Sequence, residues 1–172
     1  MKTELLLYNK ATGITWDCAS CTISATWETN RTGSPGKFSF SLVQSGGLAV
    51  DEGDAVRFSV DGQLQFFGWV FSQTRDRWDR VDIVCYDRLR YLKANASYAF
   101  YGQTAADIIT QIAGDLQVEV GSLAAPPYAI PSLIEEDQSC LDIIGSAVQQ
   151  TLLNTGNIYV FYDNGDGVSL QQ

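Results

Sequence analysis

The residues best able to do chemistry in this chain are four cysteines and a few knots of acid, and no histidine accompanies them. Cys18 and Cys21, in DCASC, have the spacing of half a zinc site or of a dithiol redox pair. Zinc needs a second half at ligand spacing, yet Cys85 falls in a strand-like run and Cys140 opens a helical one. Thioredoxin-like reactivity needs a helix N-terminus behind the first cysteine, whereas Cys18 and Cys21 lead into a strand. The acids offer little more. Glu135, Glu136 and Asp137, in LIEEDQS, stand just before a helical pattern, where the helix dipole favours negative charge. YDNGDGVSL is like a calcium loop in composition, but its acids fall at Asp163 and Asp166 and no glutamate closes the pattern, so a turn is expected. Lack of histidine removes the commonest general base near neutral pH. No Gly-rich phosphate loop and no Gly-x-Ser-x-Gly elbow occurs. The expectation is no catalytic residue, no metal, no cofactor and no enzyme.

The four tryptophans are the remaining candidates. Stacked and exposed, Trp16, Trp27, Trp69 and Trp78 would suit a sugar-binding platform. Trp27, however, sits on the apolar side of an alternating run, which predicts core packing. Trp78 lies among Arg75, Arg77 and Arg80 in TRDRWDRVD, a composition that suits a protein–protein interface as well as a solvated turn.

Up to residue 93 the elements that must position these groups read as strands. CTISATWE alternates at Ile23, Ala25 and Trp27, KFSFSLV at Phe38, Phe40 and Leu42, and RVDIVCYD at Val81, Ile83 and Cys85. VRFSVDGQLQFFGWVF carries Asp61-Gly62 between two alternating runs, a strong hairpin signal. Short strands with frequent Gly and Pro punctuation predict a small antiparallel barrel or sandwich. Beyond residue 93 two amphipathic helices appear. Thr104 and Asp107 begin one, with Ile108, Ile109 and Ile112 on one face. Ser139 and Asp142 begin the other, with a stripe of Leu141, Ile144, Val148 and Leu152 and a terminal Gly156. The fold class expected is α+β: a β-barrel over residues 1–93, then a small α+β part over 94–172.

Charge breaks at the same place. Residues 1–93 hold all 11 basic side chains and 11 of the 20 acids, while 94–172 hold the remaining nine acids and carry the whole −9. A segment without Lys or Arg cannot bind phosphate backbones, so no sequence-specific nucleic-acid partner is expected. No run approaches a membrane span, and four cysteines without a secretory signal point to reduced thiols in a cytoplasmic product.

Four stretches in a fixed order (EGDAVRF, FFGWV, YDRLRYL and TAADIITQIA) resemble the hub proteins of contractile phage tails. The likeness is to the PBSX-type, XkdQ/YqbQ-like prophage hubs and, more distantly, late-control protein D. SPGKFSFSLV upstream and IPSLIEEDQSCLDIIGSAVQQTLLNTGNIYVFYDNGDGVSL downstream are also similar to that family. The resemblance implies a virion structural protein of the tail baseplate, assembled in the bacterial cytoplasm. It implies a trimeric ring of β-barrels joining the tail tube to the spike, with tube, spike and tape-measure proteins as partners and no membrane. It also implies that 94–172 is incomplete at its C-terminal end. Asp87 or Arg90 in YDRLRYL is expected to tie the barrel to the α+β part, and the nine late acids to flank a channel. The alternatives are a tail-associated carbohydrate-binding module or a peptidoglycan hydrolase.

Overall fold

A computed structural model describes residues 2–30, 34–43, 47–77 and 79–172. The chain divides into two compact units, Met1–Thr29 with Gly36–Asp87, and Asn30–Pro35 with Arg88–Gln172.

The first unit is a single antiparallel sheet. Its strands are β1 (Thr3–Tyr8), β2 (Thr15–Asp17), β3 (Thr22–Glu28), β4 (Lys37–Val43), β5 (Ala55–Val60), β6 (Gln63–Arg75) and β7 (Arg80–Tyr86). Their order is β2-β1-β5-β6-β7-β4-β3. β2 and β3 are consecutive in the chain yet stand at opposite ends of the sheet. The turn between them, closed by Cys21 N–H donating to the Cys18 carbonyl at 3.2 Å, can connect them only if the sheet curls round on itself. It does not close: among the described residues no ladder joins β2 to β3, so the expected barrel is a half-barrel. The reason lies in the edges. β2 has three residues against the seven of β3, and a bulge between Thr22 and Ser24 breaks the regular pairing of β3.

Inside the curl the alternation works as the sequence predicts. Phe38, Leu42, Val81, Ile83 and Cys85 are all but fully buried, and the Phe38 ring stacks on Phe58 and Phe66 at 4.9 and 5.3 Å. At the β5–β6 hairpin Asp61 and Gly62 both have positive φ, +49° and +81°, the backbone of a two-residue turn whose twist matches its strands. A buried Asn9 organises one end of the sheet. Its amide donates to Asp54 at 2.9 Å and to Asp51 at 3.2 Å, while its oxygen accepts from the backbone of Ala11 and Thr12. Gly36 and Asp87, where the chain re-enters and finally leaves this unit, are bonded to each other. Gly36 N–H donates to the Asp87 carboxylate at 2.8 Å and Asp87 N–H to the Gly36 carbonyl at 3.1 Å. A Cβ at Gly36 would stand 2.5 Å from that carboxylate, which would have to move and give up the bond.

The second unit begins with a 3-10 helix, Arg88–Lys93. It continues through β8 (Asn95–Phe100), α1 (Ala105–Asp115), β9 (Val120–Leu123), β10 (Leu133–Ser139), α2 (Cys140–Thr155), β11 (Val160–Asp163) and β12 (Val168–Gln171). β8 pairs with β10, and β12 lies between β11 and β9, parallel to the latter. One core is formed by Ile108, Ile109 and Ile112 of α1 with Ile143, Ile144 and Ala147 of α2. Of the expected stripe on α2, Leu141 and Ile144 are buried, Val148 is half-buried and Leu152 is 37% exposed; Cys140, Ile143, Ala147 and Thr151 complete the buried face. LIEEDQS is itself strand β10, so its acids lie along a ribbon and not in a helical first turn.

Both helices start as predicted. Thr104 caps α1 in a full capping box with Asp107, Ser139 caps α2, and Gly156 ends α2 in the left-handed conformation. The Thr104 hydroxyl, then its backbone N–H, holds the Asp107 carboxyl below the usual carboxylate range. A group with a depressed folded-state pKa contributes stability above its unfolded pKa and loses it as pH falls through the folded value. Protection factors of the α1 amides, which correct exchange rates for their intrinsic pH dependence, are therefore expected to fall as pH drops through the acid range, with Asp107→Asn showing the lower protection at neutral pH.

Candidate functional site

The thiols are placed for packing and not for reaction. Cys18, Cys85 and Cys140 are buried and all four cysteines are free. Burial, with Cys21 alongside, pushes the Cys18 thiol up to about 12, and burial also raises Cys85 and Cys140. A thiol so held is protonated at neutral pH and a poor nucleophile or ligand. Among the described residues no three His, Cys, Asp or Glu side chains gather as a metal site would need, and no helix is long and apolar enough to cross a membrane.

The strongest charged constellation is one that local sequence patterns do not reveal. Arg88, which opens the longer segment of the second unit, has a side chain only 8% exposed, against an Asp163 side chain 2% exposed. Its Nη1 donates to Asp163 Oδ1 at 3.2 Å and to the Gly165 carbonyl at 3.0 Å. Its Nε and Nη2 donate to Glu119 Oε2 at 3.1 and 2.7 Å. Its backbone N–H also donates to Asp163 at 3.0 Å. The loop that looks like a calcium site thus closes on a guanidinium. Asp163 takes the arginine and the Gly165 N–H, and Asn164 caps the backbone of Asp166 and Gly167. The neighbours singled out by sequence lie on either side. Asp87 is buried and engaged with Gly36, while Arg90 is exposed on the 3-10 helix. One signal pointed to Arg88: residues 94–172 contain no cation, so a buried acid there must find one upstream.

Of the arginine group, Arg75, Arg77 and Arg80 are exposed around the β6–β7 connection, and Trp78 lies outside the described residues. Arg80 donates to Asp82 at 3.0 Å and to Ser41 at 3.2 Å, and Ser41 donates in turn to Asp82. The Ser41 hydroxyl and then Arg80 lower the Asp82 carboxyl.

Trp27 corrects the expectation of a core tryptophan. It pairs with Phe38, and Ala25 with Phe40, so both share the inward face. Yet Trp27 is 43% exposed and Ile23 56%, because β3 ends the sheet and, among the described residues, no further strand lies beside it. Alternation tells which way the side chain points, not whether a neighbour exists to bury it.

The nine late acids do not share one surface task. Asp107 and Asp142 accept from the hydroxyls of the helix-capping Thr104 and Ser139, Asp115 accepts from the Tyr98 hydroxyl at 2.9 Å, and Glu119 and Asp163 hold Arg88. Along α2 runs a groove of about 610 Å³ with Leu141, Ile144, Val148 and Leu152 on its wall, opposite Tyr159 and Phe161.

The chain is similar to known proteins across most of its length. A family model described as YqbQ-like matches residues 25–172. Two Bacillus subtilis (strain 168) proteins are each 38% identical. The phage-like element PBSX protein XkdQ aligns over 125 residues, 72% of this chain and 38% of its own length. The uncharacterized protein YqbQ aligns over 117 residues, 66% of this chain and 35% of its own. The chain therefore spans little more than a third of these relatives. Among solved structures, the 43 kDa tail protein of prophage MuSo2 from Shewanella oneidensis superimposes with a TM-score of 0.74 at 13% identity, over 98% of this chain and 54% of that one. At such identity the likeness is one of fold.

Proposed function

Because the chain belongs to the YqbQ-like family, we propose that it is a non-enzymatic structural subunit of a phage or phage-like tail, a part of the baseplate hub that joins the tail tube to the spike. In this reading residues 1–93 supply a wall of the ring and 94–172 the attached α+β part. In it the stretch holding Arg75, Arg77, Trp78 and Arg80 meets a neighbouring tail protein, and Asp87 or Arg90 secures the segment that follows β7. Copies of the subunit, three in the complete protein, form the ring around the path of the tape-measure protein.

The observation that carries this is the half-barrel. A curled sheet with a seven-residue edge strand and exposed Ile23 and Trp27 has backbone and apolar surface left over for a neighbour. Three of the four thiols are buried, and Asp107, Glu119 and Asp163 are engaged in a helix cap or with Arg88.

Immunogold labelling of tails from a producing strain tests the role directly. Label at the end of the tail distal to the head is expected; particles that never carry the protein would overturn the proposal. Ile23→Lys with Trp27→Lys separates assembly from folding. Both sites are exposed, so unfolding is expected to shift by less than about 1 kcal/mol. Loss of an apolar anchor should weaken subunit association by about thirtyfold, read as a fall in complete tails.

A further inference from the structure

Asn164 is the one asparagine of six that precedes a glycine, and that pairing has a chemistry of its own. The Gly165 backbone nitrogen can attack the Asn164 carboxamide carbon, because glycine has no side chain to block the approach. Ammonia leaves, a five-membered imide forms, and water opens it at either carbonyl to give aspartate or isoaspartate. No oxidant and no second reactant is needed. Gly165 has φ +92°, a conformation that keeps glycine at this position, and Asn164 is exposed. The reactive pair is therefore built into the β11–β12 turn, within reach of water.

The same turn holds the two reacting groups apart. In the imide the new bond to nitrogen takes the place of the N–H bond, so the ring closes only when that N–H points at the carboxamide carbon. In the structure it points at Asp163 Oδ1 and donates at 2.7 Å. The Asn164 side-chain oxygen accepts from the N–H groups of Asp166 at 2.9 Å and Gly167 at 3.0 Å, which draws the carboxamide past Gly165. Asp163 is in turn fixed by Arg88 at 3.2 Å.

We propose that Asn164 is a modification site at which the chain ages by deamidation through an imide with Gly165, and that the Arg88–Asp163 pair sets the rate by keeping the Gly165 N–H occupied. The change runs one way. Isoaspartate carries the main chain through the former side chain, adding a methylene to a turn whose flanks pair Asp163 with Val168. The Gly165 carbonyl then withdraws from Arg88, from which it accepts at 3.0 Å, and a new carboxylate stands beside Asp163 and Asp166. This holds or fails for the isolated chain, whatever its place in a tail.

Three hydrogen bonds must open before the ring closes. Each is worth roughly a factor of five, so conversion should be about a hundredfold slower in the folded chain than in the chain unfolded in urea. Incubation at mildly alkaline pH measures it, with peptide mapping by mass spectrometry for the site and enzymatic methylation for isoaspartate. Every rate is taken relative to the same variant in urea. Arg88→Met with Asp163→Leu frees the Gly165 N–H and should speed conversion about tenfold. Ile112→Val weakens the buried core of the same unit without touching the turn, and should leave the rate within about twofold. Folded and unfolded chains converting at one rate, no conversion at Asn164 in either, or a double variant no faster than the parent would overturn the proposal. Acceleration by Ile112→Val equal to that of the double variant would also overturn it, since control would then lie in unfolding of the whole unit.

Discussion

Arg88→Ala is expected to destabilise the second unit by about 3–5 kcal/mol, the cost of leaving a buried carboxylate without its cation. Asp163 has a side chain only 2% exposed and faces the guanidinium at 3.2 Å, so its charge has no water to fall back on. Arg88→Lys should recover little. The guanidinium reaches Asp163, Gly165 and Glu119 from three different nitrogens, and a single ammonium cannot span them. Glu119→Gln, at a side chain 71% exposed, should cost under about 1 kcal/mol. Removing both buried partners, Arg88→Met with Asp163→Leu, should restore much of the loss, since a buried pair contributes less than the penalty for breaking it. Amide exchange separates the units: α1 and α2 should lose protection in Arg88→Ala while β4 and β7 keep theirs. Equal loss in all four, or none in any, would refute the assignment.

Gly68→Val should have the converse signature, with β4 to β7 losing protection and α1 and α2 unaffected. Gly68 lies mid-strand in β6, opposite Val56, and its φ is not in the left-handed region. Space and not conformation demands the glycine. A Cβ there would press on the Tyr86 carbonyl and stand 2.8 Å from its carbon and 2.6 Å from the Phe66 ring. A ring edge can swing aside, but the backbone of a paired strand cannot. Gly68→Ala is expected to cost about 1–3 kcal/mol as overpacking, and valine, with two further methyl groups, more than that. Chemical denaturation followed by tryptophan fluorescence measures it, because Trp69 is the adjacent residue. An unchanged midpoint for the alanine variant would show that β6 and β7 can part at no cost.

Much of this is legible in the amino-acid sequence where local rules act alone. The Asp61-Gly62 turn, the caps at Thr104 and Ser139 and the inward sets of β4 and β7 each depend on a few neighbouring residues. The features that escape a local reading depend on long-range placement. Whether the barrel closes is decided by the lengths of β2 and β3, strands that periodicity cannot align. Alternation gives Trp27 its face and not its environment, for the same reason. β8 is a different case: NASYAF does alternate, with Ala96, Tyr98 and Phe100 against the core and Asn95 and Ser97 facing away, but the run is short and its partner β10 begins only at Leu133. Arg88 and Asp163 are 75 residues apart, and no spacing rule connects them.

The bond between Gly36 and Asp87 adjoins a strand that is hydrogen-bonded on both sides, since β7 runs between β4 and β6. Tension entering the sheet from residue 88 therefore pulls β7 lengthwise against two ladders at once. Lengthwise loading shares the force over many hydrogen bonds together, where peeling an outer strand would break them one by one. A load carried along β7 is accordingly resisted by both neighbouring strands together.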